Sequence, residues 1–160
     1  MSNTLFHTLR NPFKFRLFLL KRLPMAFIAG LKLAEISEDK SVVTVRYKYL
    51  TQNPFKSLYF ACLAMAGELA SGVLSLSHVY AAGVPVSMLV TKMEADFTKK
   101  AVGKISFTCI DGNAIKKAIE ESKATGEGRT IVATSVGMDE KGDQVAVFRI
   151  TWSYKVKPVI

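Results

Sequence analysis

Apolar and polar positions fall into two regimes along this chain. From Ser57 to Thr91 a single charged residue, Glu68, interrupts a run of small and apolar side chains. That run predicts a long central helix, starting near Ser57, whose hydroxyl would cap it, and ending before Ala82-Gly83-Val84-Pro85. On either side the pattern changes to alternation. Ser41 to Tyr49 places Val43, Val45, Tyr47 and Tyr49 on one face and Thr44, Arg46 and Lys48 on the other. Gly103 to Ile110 places Ile105, Phe107 and Cys109 opposite Lys104, Ser106 and Thr108. The last strand, Gln144 to Val156, aligns Ala146, Phe148, Ile150, Trp152 and Tyr154. Strands at Leu31–Glu35, Val86–Phe97 and Thr130–Met138 complete the set, with turns at Asp39-Lys40 and Asp139–Asp143. Two shorter helices are marked by their start signals. Asn11-Pro12 opens a helix over Phe13–Arg22, which Pro24 ends, and Asp111-Gly112-Asn113 opens one over Ala114–Ser122.

The order is helix, two strands, long helix, two strands, short helix, two strands. Strands apolar on one face need a cover, and the one long apolar helix supplies it. The economical packing is α+β: a six-stranded antiparallel sheet wrapped around the central helix, the hotdog arrangement. A length of 160 residues suits one domain. Residues 1–24 form an N-terminal helical segment and 25–160 the hotdog core. The segment 58–76 is long enough to span a bilayer, but Glu68 near its middle would cost roughly 2.5–3.5 kcal/mol there. It also holds Gly67, Ser71, Gly72 and Ser75, and a buried core helix is the reading that fits.

Charge changes the picture only at the surface. The net charge of +9 suits an anionic partner: nucleic acid, an acidic membrane or a phosphate-bearing ligand. The basic residues are scattered apart from Lys99-Lys100 and Lys116-Lys117, with no basic run interleaved with aromatics, which argues against nucleic acid. The helix Phe13–Arg22 is basic and aromatic. It packs its Phe and Leu side chains on the domain with Lys14 and Lys21 in water, or it lies on an anionic membrane surface. Cys62 and Cys109 sit in apolar contexts and no clean signal peptide precedes them, as expected of reduced thiols in a cytoplasmic protein. Neither His7 nor His78 lies at metal-ligand spacing, so no metal is expected. Cys62 and His78 on one helix would stand some ~24 Å apart at ~1.5 Å per residue, too far for a nucleophile–base pair.

The stretch Asn53–Glu68 carries a resemblance. It is similar to the helix signature of hotdog-fold acyl-CoA thioesterases of the phenylacetate type, N-x-x-G-x-x-H-G-G-x-x-x-x-L-x-[DE], with Asn53 at the Asn and Glu68 at the acid. It more closely resembles a bacterial branch of that superfamily known only as a domain of unknown function, with NPF-x-S-x-YFA and a later AxE. Asn53, Pro54, Phe55, Ser57, Tyr59, Phe60, Ala61 and Glu68 fit that pattern. Lys56 replaces the thioesterases' first Gly, Tyr59 their His, and Phe60 and Ala61 their paired Gly.

The resemblance implies an acyl-CoA thioesterase that needs no cofactor and works as a homodimer or tetramer with sites at the subunit interface. Glu68 would act as general base or nucleophile. Asn53 would position water or the ligand carbonyl, and amides around Phe60 and Ala61 would hold the oxyanion. Lys56, Ser57, Tyr59 and Met65 would complete the substrate site. Lys56, Lys99, Lys100 and Lys104 are the cations available for the phosphates of coenzyme A, and Met65, Met88 and Met93 can line an acyl tunnel. A second reading is a non-catalytic acyl- or lipid-binding protein that keeps the pocket without the glycines. On the residues alone, Glu68 lies beside a stripe of small residues, Ala61, Ala64, Ser71, Gly72 and Ser75. A carboxylate so placed has a raised pKa if buried without a cation, and is ordinary if Ser, Tyr or a partner chain's cation meets it.

Overall fold

A computed structural model describes residues 8–157; His7 lies outside them. Asn11 starts the first full helix as its side chain allows. Its Oδ1 accepts from the amides of Phe13 (3.0 Å) and Lys14 (3.1 Å), and Pro12 takes the first position of α1 (Pro12–Arg22). Pro24 does more than end that helix. It opens a second one, α2 (Pro24–Ala29), which the sequence pattern did not announce. A proline needs no amide partner in a first helical turn, and Leu23, at φ −138° and ψ 64°, stays out of the α region that the residue before a proline disfavours.

Six strands follow: β1 (Lys32–Ile36), β2 (Ser41–Arg46), β3 (Val86–Phe97), β4 (Lys104–Cys109), β5 (Arg129–Met138) and β6 (Gln144–Val156). They form one sheet in the order β1-β2-β4-β5-β6-β3, each neighbouring pair antiparallel. β2 stops at Arg46 rather than Tyr49. Thr51 Oγ1 donates to the Arg46 carbonyl (2.7 Å) and one 3-10 turn, Tyr49–Thr51, swings the chain away, leaving Tyr49 exposed. The central helix, α3 (Phe60–Ala81), begins three residues after Ser57. The last helix, α4 (Gly112–Thr125), ends at Gly126 in a left-handed cap.

The sheet curls around α3. Ala66, Ala70 and Leu74 are wholly buried, as are Val43, Ile105, Phe107, Phe148 and Ile150 on the inner face of the strands. Contact is close because the helix is narrow there. A Cβ on Gly67 would stand 2.6 Å from Phe148 Cδ2. The small polar residues of α3 are bonded into the sheet. Trp152 Nε1 donates to Ser71 Oγ (2.9 Å), Ser75 and Tyr154 share a hydroxyl pair (2.6 Å), and Ser41 Oγ donates to the Ala70 carbonyl. By length and composition α3 would also be apolar enough to cross a membrane, but 67% of that window is buried within the fold.

Among the described residues β3 pairs only with β6, and a bulge between Val90 and Lys92 adds a residue to it. Val90 opposes Trp152 and Met93 opposes Ile150, so both face the same side as the inward residues of β6. The resulting inner stripe of Val90, Met93 and Phe97 remains exposed. The whole is the hotdog arrangement, with α1 and α2 laid beside its core.

Gly67→Ala tests the close seat of α3. The added methyl must push the Phe148 ring, and overpacking of this kind costs about 1–3 kcal/mol. The expected result is a lower urea midpoint with an unchanged slope; an unchanged midpoint would show that the helix stands off the sheet.

Candidate active site

Glu68 follows Gly67 on α3, so the residue that touches the sheet and the residue that carries the acid differ by one helical step. The carboxylate therefore leaves the sheet contact sideways. It enters two adjoining cavities of about 340 and 230 Å³, which share Arg22, Leu23, Glu68 and Leu69. Trp152, Met88 and Tyr80 line the larger, and Met65 and Met25 the smaller. Gly72, one turn on, leaves the acid its seat: a Cβ there would lie 3.1 Å from Glu68 Oε1. Among the described residues no cation or donor reaches the carboxylate. Burial pushes its pKa up to about 6.

Part of this wall was invisible in the sequence. Phe18, Arg22 and Leu23, from the end of α1 and the link to α2, roof the cavities. Phe15 and Leu19, fully buried on the same helix, anchor that roof. Helical spacing placed Phe18 beside Phe15 and Leu19, but nothing in it named α3 as the surface they meet.

The other expected site residues gather elsewhere. Asn53, Ser57, Tyr59 and Phe60 line a separate recess at the start of α3, with Phe97, Lys99 and Lys100. Asn53 organises that loop. Its Nδ2 donates to Ser57 Oγ (3.0 Å) and the Leu58 carbonyl (3.2 Å), and its Oδ1 accepts from the amides of Phe55 (2.9 Å) and Ser57 (3.2 Å). Ser57 is thus bound to Asn53 and does not cap the helix; Tyr59 holds the cap position without a side-chain bond. The amides of Phe60 and Ala61 consequently have no acceptor among the described residues. The Phe60 ring, 57% exposed, packs edge-on against Tyr59 (5.0 Å) and Phe97 (6.5 Å).

Lys56 stands where the thioesterase pattern has glycine. It keeps the backbone of one, at φ 60°, as no other non-glycine described residue does. Of the lysines expected to meet phosphates, Lys99 is held between Asp139 (2.7 Å) and Asp143 (2.6 Å). Lys104 lines a different recess beside α1. Lys56 and Lys100 are exposed and unpaired among the described residues. Eight residues separate Phe60 from Glu68, so the helix start and the acid lie about 12 Å apart along the axis at ~1.5 Å per residue.

Thiol and imidazole chemistry find no support. Cys62 and Cys109 are buried free thiols, and burial pushes both up, Cys109 to about 12. His78 Nε2 bonds the Glu38 carbonyl (2.7 Å), and burial lowers its pKa, which favours the neutral ring as donor. No group of three metal-ligating side chains occurs among the described residues.

The family model named Domain of unknown function (DUF4442) matches residues 14–154. No curated protein matches the chain. Solved structures share its fold. PA5026 of Pseudomonas aeruginosa, a protein of unknown function called a probable thioesterase, is 18% identical, with a TM-score of 0.76 over 92% of this chain and 97% of its own. The thioesterase HI1161 of Haemophilus influenzae is 13% identical, at 0.63 over 91% of each chain. The PaaI protein of the Escherichia coli phenylacetic acid degradation operon is 15% identical, at 0.63 over 96% and 97%.

Glu68→Gln separates a strained acid from an ordinary one. The folded state holds the Glu68 proton more tightly than the unfolded chain, so its contribution to stability is intact below the ordinary glutamate value of 4.5 and is lost as pH rises through about 6. The neutral variant should therefore be more stable than wild type at pH 8, by up to about 2 kcal/mol at 1.36 kcal/mol per pH unit. At pH 4 the two should unfold together. Equal stability at both pH values would mean that Glu68 is solvated or paired.

Proposed function

The chain belongs to the DUF4442 family, and we propose that it hydrolyses an acyl thioester, with acyl-coenzyme A the substrate class and Glu68 the general base. The observation that carries this reading is the unpartnered, half-buried Glu68 carboxylate at the meeting of two apolar-walled cavities. A base with a pKa near 6 is ionised at neutral pH yet basic enough to take a proton from water. The hydroxide so formed adds to the thioester carbonyl. The tetrahedral oxyanion collapses with loss of the thiolate, which takes its proton from Glu68. The apolar walls take the acyl chain, which the fold of the thioesterase HI1161 and of PaaI also suits.

The separation of helix start and acid decides the rest. Phe60 lines the recess at the start of α3 and Glu68 the two cavities under α1, so the helix-start amides and the acid do not open into one cavity of the same chain. The oxyanion site in this reading comes from the helix start of a second copy. The unpaired edge of β3 and its exposed inner stripe supply the surface for that pairing, which would make the active unit a homodimer. Asn53 then acts by holding the loop that presents the amides, and Ser57 by holding Asn53. Tyr59, Phe60 and Ala61 border the ligand, Met65 the acyl chain, and Lys56 and Lys100 the phosphates. One observation favours binding without turnover: Phe60 places a large ring where the thioesterase pattern has glycine. Its ring packs edge-on against Phe97 and its amide keeps no acceptor among the described residues, which supports hydrolysis over binding alone.

Thiol release from short, long and aromatic acyl-coenzyme A thioesters is the test. Wild-type protein should turn over at least one class, with a rate that rises through pH 6 and levels above it. Glu68→Gln should lower kcat about 10²–10⁴-fold, as loss of a general base does. No turnover by folded protein across the panel would overturn the hydrolase reading and leave the binding one. Turnover unchanged in Glu68→Gln would remove Glu68 from the chemistry.

A further inference from the structure

Helix α1 is apolar on both sides, and only one side is covered. Phe15 and Leu19 are buried, whereas Phe13, Leu17 and Leu20 are 76%, 41% and 49% exposed. At 3.6 residues per turn these three fall on one stripe, opposite Phe15 and Leu19. Lys14 and Lys21 flank the stripe on one side and Arg16 on the other. Lys14, Lys21 and Arg22 have no ion-pair partner among the described residues, and Arg16 lies over the Phe27 ring at 4.5 Å. The sequence biases the charge further: Arg10, Lys14, Arg16, Lys21, Arg22 and Lys32 all precede the first carboxylate of the chain, Glu35.

A second feature lies beside this stripe. Between α1 and the β1–β2–β4 end of the sheet is a recess of about 410 Å³. Its wall includes Phe13, Phe15 and Leu31 together with Arg16, Lys32 and Lys104, and no carboxylate of the described residues lines it. Apolar lining with several cations and no acid fits a group that is anionic at one end and hydrocarbon at the other.

We infer that this face docks on an anionic lipid bilayer, with α1 lying in the interface and a lipid phosphate taken up by Arg16, Lys32 and Lys104. The exposed Phe and Leu side chains enter the acyl boundary while the flanking lysines reach the headgroups, the arrangement of an interfacial helix. Charge argues against the other occupants. A second copy meeting this face symmetrically would set cations on cations with no acid to answer them. A nucleic acid would meet Lys14 and Lys21 on one side and Arg16 on the other only across the apolar stripe between them. This inference does not depend on the hydrolase reading, and its test reads no turnover.

Full-length protein is sedimented with sucrose-loaded vesicles of phosphatidylcholine, with and without phosphatidylglycerol. Binding is expected only with phosphatidylglycerol and should weaken as salt rises. A basic residue near such a surface counts for about fivefold in partitioning, so Lys14→Glu with Lys21→Glu should weaken binding about 25-fold or more. Leu17→Asp with Leu20→Asp should abolish it, and Lys32→Glu with Lys104→Glu should weaken it. Lys141→Glu with Lys155→Glu makes the same change in net charge elsewhere and should leave binding intact. All variants should keep the wild-type far-ultraviolet spectrum and unfolding midpoint. Three results would overturn the inference: no binding to phosphatidylglycerol vesicles at low salt, equal loss in both Lys→Glu pairs on α1 and at 141 and 155, or a dimer in solution that Leu17→Asp with Leu20→Asp dissociates.

Discussion

The close seat of α3 on the sheet is the contact on which the other features depend. Gly67 lets the helix reach the Phe148 ring, and Phe148 in turn packs edge-on against Phe107 at 5.6 Å. The hydroxyls of Ser71 and Ser75, bonded to Trp152 and Tyr154, fix the rotation of the helix about its axis. One residue of rotation is about 100° and would drive Glu68 into the aromatic layer, where a carboxylate has no partner. The same small residues that allow the approach thus hold the acid at the flank of the helix. Its raised pKa is a result of that packing and of nothing attached to the carboxylate itself.

The strands were largely legible in the sequence because each packs one face and alternation records it. β3 and β6 have the bounds the pattern gave, and every residue of the inward set of β6 is buried. Errors cluster where a side chain does something other than its local preference. Ser57 is a fair capping residue, but Asn53 engages it first, and α3 starts at Phe60. Pro24 reads equally well as a stop or as a start, and only the tertiary structure chooses. In the site, Glu68 was visible as the lone acid of an apolar run. The roof of Phe18, Arg22 and Leu23 was not, because a contact between helices distant in sequence leaves no period to read. The separation of the helix start at Phe60 from Glu68 was implicit in the helix rise, whereas the engagement of both Asn53 side-chain groups in its own loop required the structure.

Helix α1 shows how one element can serve several surfaces. Its inner residues complete the core, its last turn closes the cavities over Glu68, and its outer residues face solvent with an apolar stripe edged by cations. Because its apolar residues fall on two opposite faces, periodicity alone could not say which of the two would be buried. The core took the side with Phe15 and Leu19, and the unequal distribution of charge along the chain marks the side left over.

The bulge in β3 has a bearing on how this protein can change over time. Up to Val90 every second residue faces inward; beyond Thr91 the parity is reversed, so Met93 and Phe97 face inward while Lys92 and Glu94 pair with each other outside. Which side of the strand is greasy is therefore fixed by a count of residues and not by their identities. Substitution along β3 alters the lining one position at a time, but gain or loss of a single residue there exchanges the two surfaces over the whole distal half. Lineages of this fold are freer to vary the chemistry of that strand than its length.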